Sequence, residues 1–439
     1  MNIKTLLTFL LVFFGIVAYA QRVLTTDEAI KLALDHNYGI KIAKNTVEVA
    51  ENNKDLLNSG YLPTLTGIAG ATIEVQNSEG QLANGETRIA DGAETRRYNA
   101  SINLNYTLFD GLGRLYNYKR LKELYQLSDL EARETIETTM LQLFSIYYTV
   151  AQLTENTDAL EQTFEISKTR LTRAGYQFDY GQSTKLNVLN AQVDINNDSI
   201  SLINIRQQLT NTKRDLNVVL GNSNSEAFEV DTDLDFLLQL EKQALLEKSM
   251  ANNVTLLQAK SNITISQYDI KTSKAQFLPI IGLVGSYGWN ESADNSPLAF
   301  TLQNTNSGVS AGLNLTWNLF DGGSSITQVK NTKIFLENQK LQQAQLRNEI
   351  ERNFNNAWDD YQNKLLIFKI QENNIKTGEN NFDRTQERFK LGQVTSIEFR
   401  QAQLNLLNAE LSRNQAKYDA KLSELTVLQI SGELLNVDF

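Results

Sequence analysis

A few carboxylates in this chain stand where an acid has a definite task. Asp110 and Asp321 sit in two nearly identical words, Tyr106-Thr107-Leu108-Phe109-Asp110-Gly111 and Trp317-Asn318-Leu319-Phe320-Asp321-Gly322. Each is followed by a long run poor in Gly and Pro, so each can accept hydrogen bonds from the free N–H groups that open a helix. A single Asp-Gly is a generic turn, whereas two at matched positions mark a repeated junction. Glu398 closes Thr395-Ser396-Ile397-Glu398, the spacing of a capping box. No nucleotide-binding loop and no nucleophile–base pair appears. With 51 Asp and Glu residues, accidental carboxylate pairs are expected, and none has a catalytic setting. The single histidine, His36, reads as a solvated turn residue before Asn37, because a metal site needs several convergent ligands. The absence of cysteine excludes a disulfide framework, a thiol nucleophile and a lipid-modified cysteine. No cofactor is expected, and an enzyme is a remote reading. The net charge of −10 gives no electrostatic footprint for nucleic acid, so that partner is excluded.

The elements that position these residues are written twice. Residues 1–20 read as a secretory signal: Lys4, an apolar run from Leu6 to Val17, then Ala18-Tyr19-Ala20 before Gln21. Two of the three prolines lie in matching contexts, Tyr61-Leu62-Pro63 and Phe277-Leu278-Pro279, each closing a helical pattern and opening an alternating one. No Gly or Pro occurs between Arg114 and Ala174, a stretch about 90 Å long as a helix. Its counterpart, Ser324 to Leu391, is interrupted only by Gly378. Both lead to a glycine turn, Tyr180-Gly181-Gln182 or Leu391-Gly392-Gln393. A first repeat over 21–230 is expected to hold a helix over 25–61, strands over 64–76 and 97–109, a long helix over 112–178 and a returning helix over 183–220. A second over 231–439 is expected to hold a helix over 240–277, strands over 280–290 and 308–320, a long helix over 324–390 and a returning helix over 395–431. Apolar positions such as Leu121, Leu124, Leu127 and Leu130 form narrow seams suited to coiled coils.

The strands carry the functional inference. Ile102, Leu104, Tyr106 and Leu108 alternate with Asn103, Asn105 and Thr107, and Val309 to Leu319 alternate in the same way. A half-buried soluble sheet would show this pattern too. Strand length, aromatics near the strand ends and the export signal favour a membrane barrel. After residue 20 no stretch reaches the roughly 20 apolar residues of a spanning helix. Four strands cannot close a barrel, and lipid tolerates no open edge, so several protomers must share one. An exported coiled-coil adaptor or stalk protein that never enters the membrane is the competing reading.

Over essentially the whole mature chain these residues resemble the TolC-type outer-membrane efflux channel family: the YLP and FLP junctions, the paired LFDG words, and the hairpins followed by Val188-Leu189-Asn190-Ala191-Gln192 and Phe399-Arg400-Gln401-Ala402-Gln403. The resemblance implies mainly α structure with membrane β-strands. Long antiparallel helical hairpins would form a periplasmic tunnel, and four strands per protomer would join a 12-stranded barrel shared by a homotrimer in outer-membrane lipid. It implies a passive duct for multidrug efflux or type I secretion in a Gram-negative outer membrane. A periplasmic adaptor and an inner-membrane pump of RND or ABC type would be its partners. Adaptor docking would fall at Gly181, Gln182, Gly392 and Gln393, and strand–helix junctions at Phe109, Asp110, Gly111, Phe320, Asp321 and Gly322. Relatives carry acids just after the second glycine. Here Glu398 matches the first, Gln401 stands at the second, and Asn187 and Asn190 are their counterparts in the first copy. Three Glu398 carboxylates would favour cations, although the same residue reads first as a helix cap and can serve as both. Lys185 and Arg400 are expected near the same entrance, where pairing with Glu398 or with partner residues would weaken an acidic field.

Overall fold

The computed structural model describes residues 23–222, 228–237 and 240–436; the expected signal, residues 1–20, lies outside them. Strand β1 (Val23–Leu24) leads to α1 (Thr26–His36) and α2 (Tyr38–Asn53). The hairpin β2 (Thr64–Gln81) and β3 (Thr87–Asp110) follows, then α3 (Gly113–Asp179) and α4 (Lys185–Leu220). The same order recurs as β4 (Glu229–Val230), α5 (Lys242–Asn252), α6 (Val254–Ala275), β5 (Ile280–Asp294), β6 (Gln303–Thr316), α7 (Ser324–Lys390) and α8 (Ser396–Ile430). Helices α3 and α7 are each 67 residues long. Among the described residues no helix is long and apolar enough to cross a membrane.

Two compact units result, and neither is a sequence repeat. Of the described residues, one comprises those up to Thr46, those within Leu130–Gln258 and those from Ala344 on; the other comprises Val47–Asp129 and Ala259–Gln343. Each draws on both copies, because a copy with two strands and a few narrow-seamed helices has too little surface to cover its own apolar faces.

In the second unit β2, β3, β5 and β6 form one antiparallel sheet in that order, with β3–β5 joining the copies. Rows of directly paired residues share a face. Leu65, Leu104, Gly285 and Ala311 make one row, and Gly67, Ile102, Tyr287 and Val309 the next. The opposite face carries Thr66, Asn103, Ser286 and Ser310, with the two serine hydroxyls 2.8 Å apart. Charge enters the apolar face only towards the hairpin ends, at Glu291, Arg96 and Glu94. Both outer strands, β2 and β6, have an unpaired edge, and Leu313 remains 72% exposed.

Several expected boundaries are corrected. Three strands run further into their hairpins than expected, to Gln81, from Thr87 and to Asp294, because the Asn-, Ser- and Glu-rich segments pair across the turns. The fourth is Gln303–Thr316, not 308–320: it starts earlier for the same reason and stops before Trp317. The single helices expected over 25–61 and 240–277 are each two helices. Asn37 ends α1, accepts from Ile40 N–H at 3.1 Å and donates to the Val219 carbonyl at 2.8 Å. Asn253 does the same between α5 and α6, accepting from Leu256 N–H at 3.3 Å and donating to the Ile430 carbonyl at 3.0 Å. The side chain satisfies backbone groups that a helix end leaves free. His36 is exposed at the end of α1.

The core of the first unit gathers Met140, Phe144, Tyr147 and Tyr148 of α3, Leu216 and Leu220 of α4, Phe354 of α7, and Tyr418, Leu425 and Leu428 of α8. Tyr147 donates to the Leu24 carbonyl at 2.7 Å, tying β1 to this core. A buried ion pair lies against it. Glu424, fully buried, accepts from Leu237 N–H at 2.7 Å and pairs with Lys421 at 2.8 Å, and Lys421 also donates to the Asp235 carbonyl. Removing one member of a buried pair strands the other, at about 3–5 kcal/mol. Lys421→Met should therefore lower the urea midpoint of the detergent-extracted protein sharply, and adding Glu424→Leu should recover part of the loss, the remainder reflecting the Leu237 N–H left without its acceptor. An unchanged midpoint for Lys421→Met would show the pair to be dispensable.

Candidate functional site: strand–helix junctions and hairpin tips

At the first junction the Asp110 carboxylate accepts from Arg114 N–H at 2.8 Å and from Arg114 Nε at 3.1 Å. The guanidinium continues to the Gly60 carbonyl at 3.1 Å and lies over the Tyr61 ring. Asp321 accepts from Gly323 N–H at 3.1 Å and Ser325 N–H at 2.9 Å. Both acids hold the first turn of a 67-residue helix. Phe109 is half-buried while Phe320 is 85% exposed. The glycines differ more. Gly111 has φ 69° and its missing Cβ would stand 2.6 Å from the Ala275 carbonyl oxygen, whereas Gly322, at φ 72°, faces open space.

The tips belong to the first unit. Helix α3 closes on Gly181, whose N–H donates to Phe178 O at 2.9 Å while Gln182 N–H reaches Gln177 O at 2.7 Å; Gly392 and Gln393 repeat this at 3.1 Å and 2.8 Å. Both glycines have φ 73°, the left-handed residue that ends a helix with its carbonyls satisfied. Gln182 and Gln393 are exposed beside them.

The two returning helices start differently. At α4 Thr184 makes no side-chain cap, and Asn187 bonds Ser183 Oγ at 2.9 Å. At α8 Glu398 accepts from Thr395 N–H at 2.7 Å and from its hydroxyl at 2.8 Å, while Glu398 N–H donates to Thr395 Oγ1 at 3.2 Å. The Thr395 N–H bond, then its hydroxyl, hold the Glu398 carboxyl below its ordinary value of 4.5. Glu398, Gln401, Asn187 and Asn190 are all exposed. Gln401 bonds along its own helix to Asn405 at 2.8 Å.

The possible Glu398 pairings with Lys185 and Arg400 give way to other partners. Lys185 lies over the Phe178 ring. Arg400 forks onto Asp198, Nη1 to Oδ2 at 2.8 Å and Nη2 to Oδ1 at 2.6 Å. Around that pair Ser167 donates to Asp198 at 2.6 Å, Gln403 donates to the Thr163 carbonyl at 2.9 Å, and Arg170 pairs with Asp194. Ser167, Arg170, Asp198 and Gln403 are buried. This network ties α3, α4 and α8 together just behind the tips. Sequence reading missed it, although Asp194 and Asp198, four apart on one helix, were its available signal. Beside it a cleft of about 270 Å³ is lined by Phe389, Phe399, Arg170, Arg173 and Lys390.

The sequence profile described as outer membrane efflux protein matches residues 29–222 and 245–433. The chain belongs to that family. Outer membrane efflux protein BepC of Brucella suis is 20% identical over 410 residues, covering 93% of this chain and 86% of BepC. Outer membrane protein TolC of Escherichia coli is 19% identical over 364 residues, covering 80% and 72%. Among solved structures the fold is similar to the CmeC outer membrane channel of Campylobacter jejuni (TM-score 0.77, 16% identity, 93% of this chain and 86% of that one) and to VceC of Vibrio cholerae (TM-score 0.71, 15% identity, 93% and 96%). This efflux protein is a channel of the Gram-negative outer membrane whose helical part lies in the periplasm. The family is one of channel proteins, not enzymes.

The junction geometry separates two otherwise equivalent glycines. Gly322→Ala meets only the left-handed backbone cost of about 1–2 kcal/mol. Gly111→Ala adds a collision with backbone that cannot yield, costing about 1–3 kcal/mol more. Thermal melting of the two purified variants should place Gly111→Ala well below Gly322→Ala, and equal melting temperatures would contradict the contact with Ala275.

Proposed function

We propose that three copies of this chain share one 12-stranded outer-membrane barrel and enclose a passive export duct. A periplasmic adaptor would dock at the hairpins around Gly181 and Gly392, and an inner-membrane pump of RND or ABC type would supply the energy. The observation that carries this reading is the sheet: four strands with a continuous apolar face and two unpaired edges. Hydrocarbon cannot hydrate a strand edge, and four strands are too few to close. The sequence repeats 21–230 and 231–439 are, on this reading, the unit from which the barrel is built. The stalk alternative leaves the apolar face unexplained. Heat-sensitive trimers in the outer-membrane fraction support the reading; a monomer that leaves the membrane on carbonate washing refutes it.

The tips suit docking because Gly181 and Gly392 are exposed and a Cβ at either would meet nothing within 4 Å. Gly392→Leu should abolish export while leaving the amount of trimer unchanged. Loss of the trimer itself would make this turn structural only.

Glu398 is proposed to serve both as helix cap and as part of the pore entrance. It caps α8 and presents an exposed carboxylate whose charge the cap favours. A group with a lowered folded value keeps its charge, and its cap keeps its stabilising effect, until the pH falls through that lowered value. Single-channel reversal potentials under a salt gradient should show a cation preference that persists below pH 4.5 and weakens in Glu398→Gln. An unaltered preference in that variant would remove Glu398 from the pore entrance.

A further inference from the structure

The cleft beside the buried network holds more cations than acids. Arg170, Arg173 and Lys390 line it, against Glu165 alone. Three of these four charges are already answered, since Arg170 pairs with Asp194, Lys390 with Glu387 and Glu165 with Lys168. Arg173 is different. Among the described residues its guanidinium meets no carboxylate. Its Nη2 donates to the Lys390 carbonyl at 2.9 Å, a group that the end of α7 leaves free, and it lies 5.1 Å from the centre of the Phe389 ring. These contacts hold the guanidinium in place and use only one of its five N–H donors. The floor beside it is apolar: Phe389 stacks on Phe399 with ring centres 4.6 Å apart, and Ile166 lies alongside. A fixed, uncompensated guanidinium next to an aromatic floor is a combination that selects for charge and ring together.

We propose that this cleft binds a small aromatic carboxylate, its ring on the apolar floor and its carboxylate on Arg173. The volume of about 270 Å³ suits one ring with a short polar group, since a cavity of about 150 Å³ already holds benzene. The planar guanidinium can meet a carboxylate through two parallel N–H bonds, a match that a lysine ammonium cannot make. An anion there also faces Arg170, which lines the same cleft and whose Nε is buried without an acceptor. The position of the cleft gives binding a consequence. Helix α3 supplies Arg173, α7 supplies Phe389 and Lys390, and α8 supplies Phe399, so an occupant joins the two helical hairpins of one chain close to their tips. It stabilises the arrangement that keeps these helices together, at the expense of any that parts them. The site is built from one chain's residues and does not depend on the shared-barrel reading.

Fluorine NMR of para-fluorobenzoate, titrated with the full-length protein in detergent, tests this. The controls are para-fluorobenzyl alcohol, which carries the ring without the charge, and micelles without protein. The benzoate signal should broaden saturably, with a dissociation constant on the order of 1 mM, and the alcohol should bind at least about tenfold more weakly. Arg173→Gln should weaken the benzoate about tenfold and leave the alcohol unchanged. An arginine that served only to clamp α3 to α7 would not separate the two probes. Glu165→Gln removes the one acid lining the cleft and should tighten the benzoate about twofold; it serves if Arg173→Gln fails to assemble. Absence of saturable binding, or binding that the alcohol or the micelles alone reproduce, overturns the site. Benzoate binding that neither substitution alters places the probe elsewhere and overturns it equally.

Discussion

A strand edge exposes a row of N–H and C=O groups, and in hydrocarbon there is no water to satisfy them. Most of this molecule follows from that constraint. The sheet is short of strands and apolar along one face, and its edges are β2 and β6. Any arrangement that places such a sheet in lipid must bring in more strands, and a copy of the same chain is the partner whose sequence already matches. Within the chain the duplication already supplies one such junction, β3 against β5, which joins the two copies.

The same duplication organises the helices. Each LFDG word converts a strand into a 67-residue helix through an Asp that holds the first free N–H groups. Each Asn at a helix break, Asn37 or Asn253, binds the end of the returning helix of its own copy. Gly221 and Gly432 accept that close approach: both have positive φ, and a Cβ on either would press onto His36 or Asn252. Sequence pairs that look like isolated turn residues are therefore the two halves of one contact.

At the tips two acidic systems have separate tasks. Glu398 is tied to Thr395 and stays exposed with its charge favoured. Asp198 is buried and forked onto Arg400, where removal of either partner would leave an unpaired charge. Residues two apart in sequence, Glu398 and Arg400, thus point to different faces of α8 and do not neutralise one another. Beyond the network the glycine turns open outward, and nothing lies within 4 Å of the Cβ positions of Gly181 or Gly392.

The order of elements, the long helices, the two junctions and the capping box were legible in the sequence, because each depends on residues close together in the chain: periodicity, Gly and Pro placement, and an acid a few positions from the N–H it serves. The helix breaks at Asn37 and Asn253 were not, since their decisive partners, Val219 and Ile430, lie more than 170 residues away. The Arg400–Asp198 network escaped for the same reason, and so did the burial of Glu424. The end of β6 shows the limit most clearly. Alternation carries on through Leu319, so the sequence reads as strand to 320, yet a strand exists only where a neighbour accepts its hydrogen bonds. Local chemistry determined which segments could become helix or strand; only the tertiary structure decided where each one stops, because stopping depends on what lies alongside.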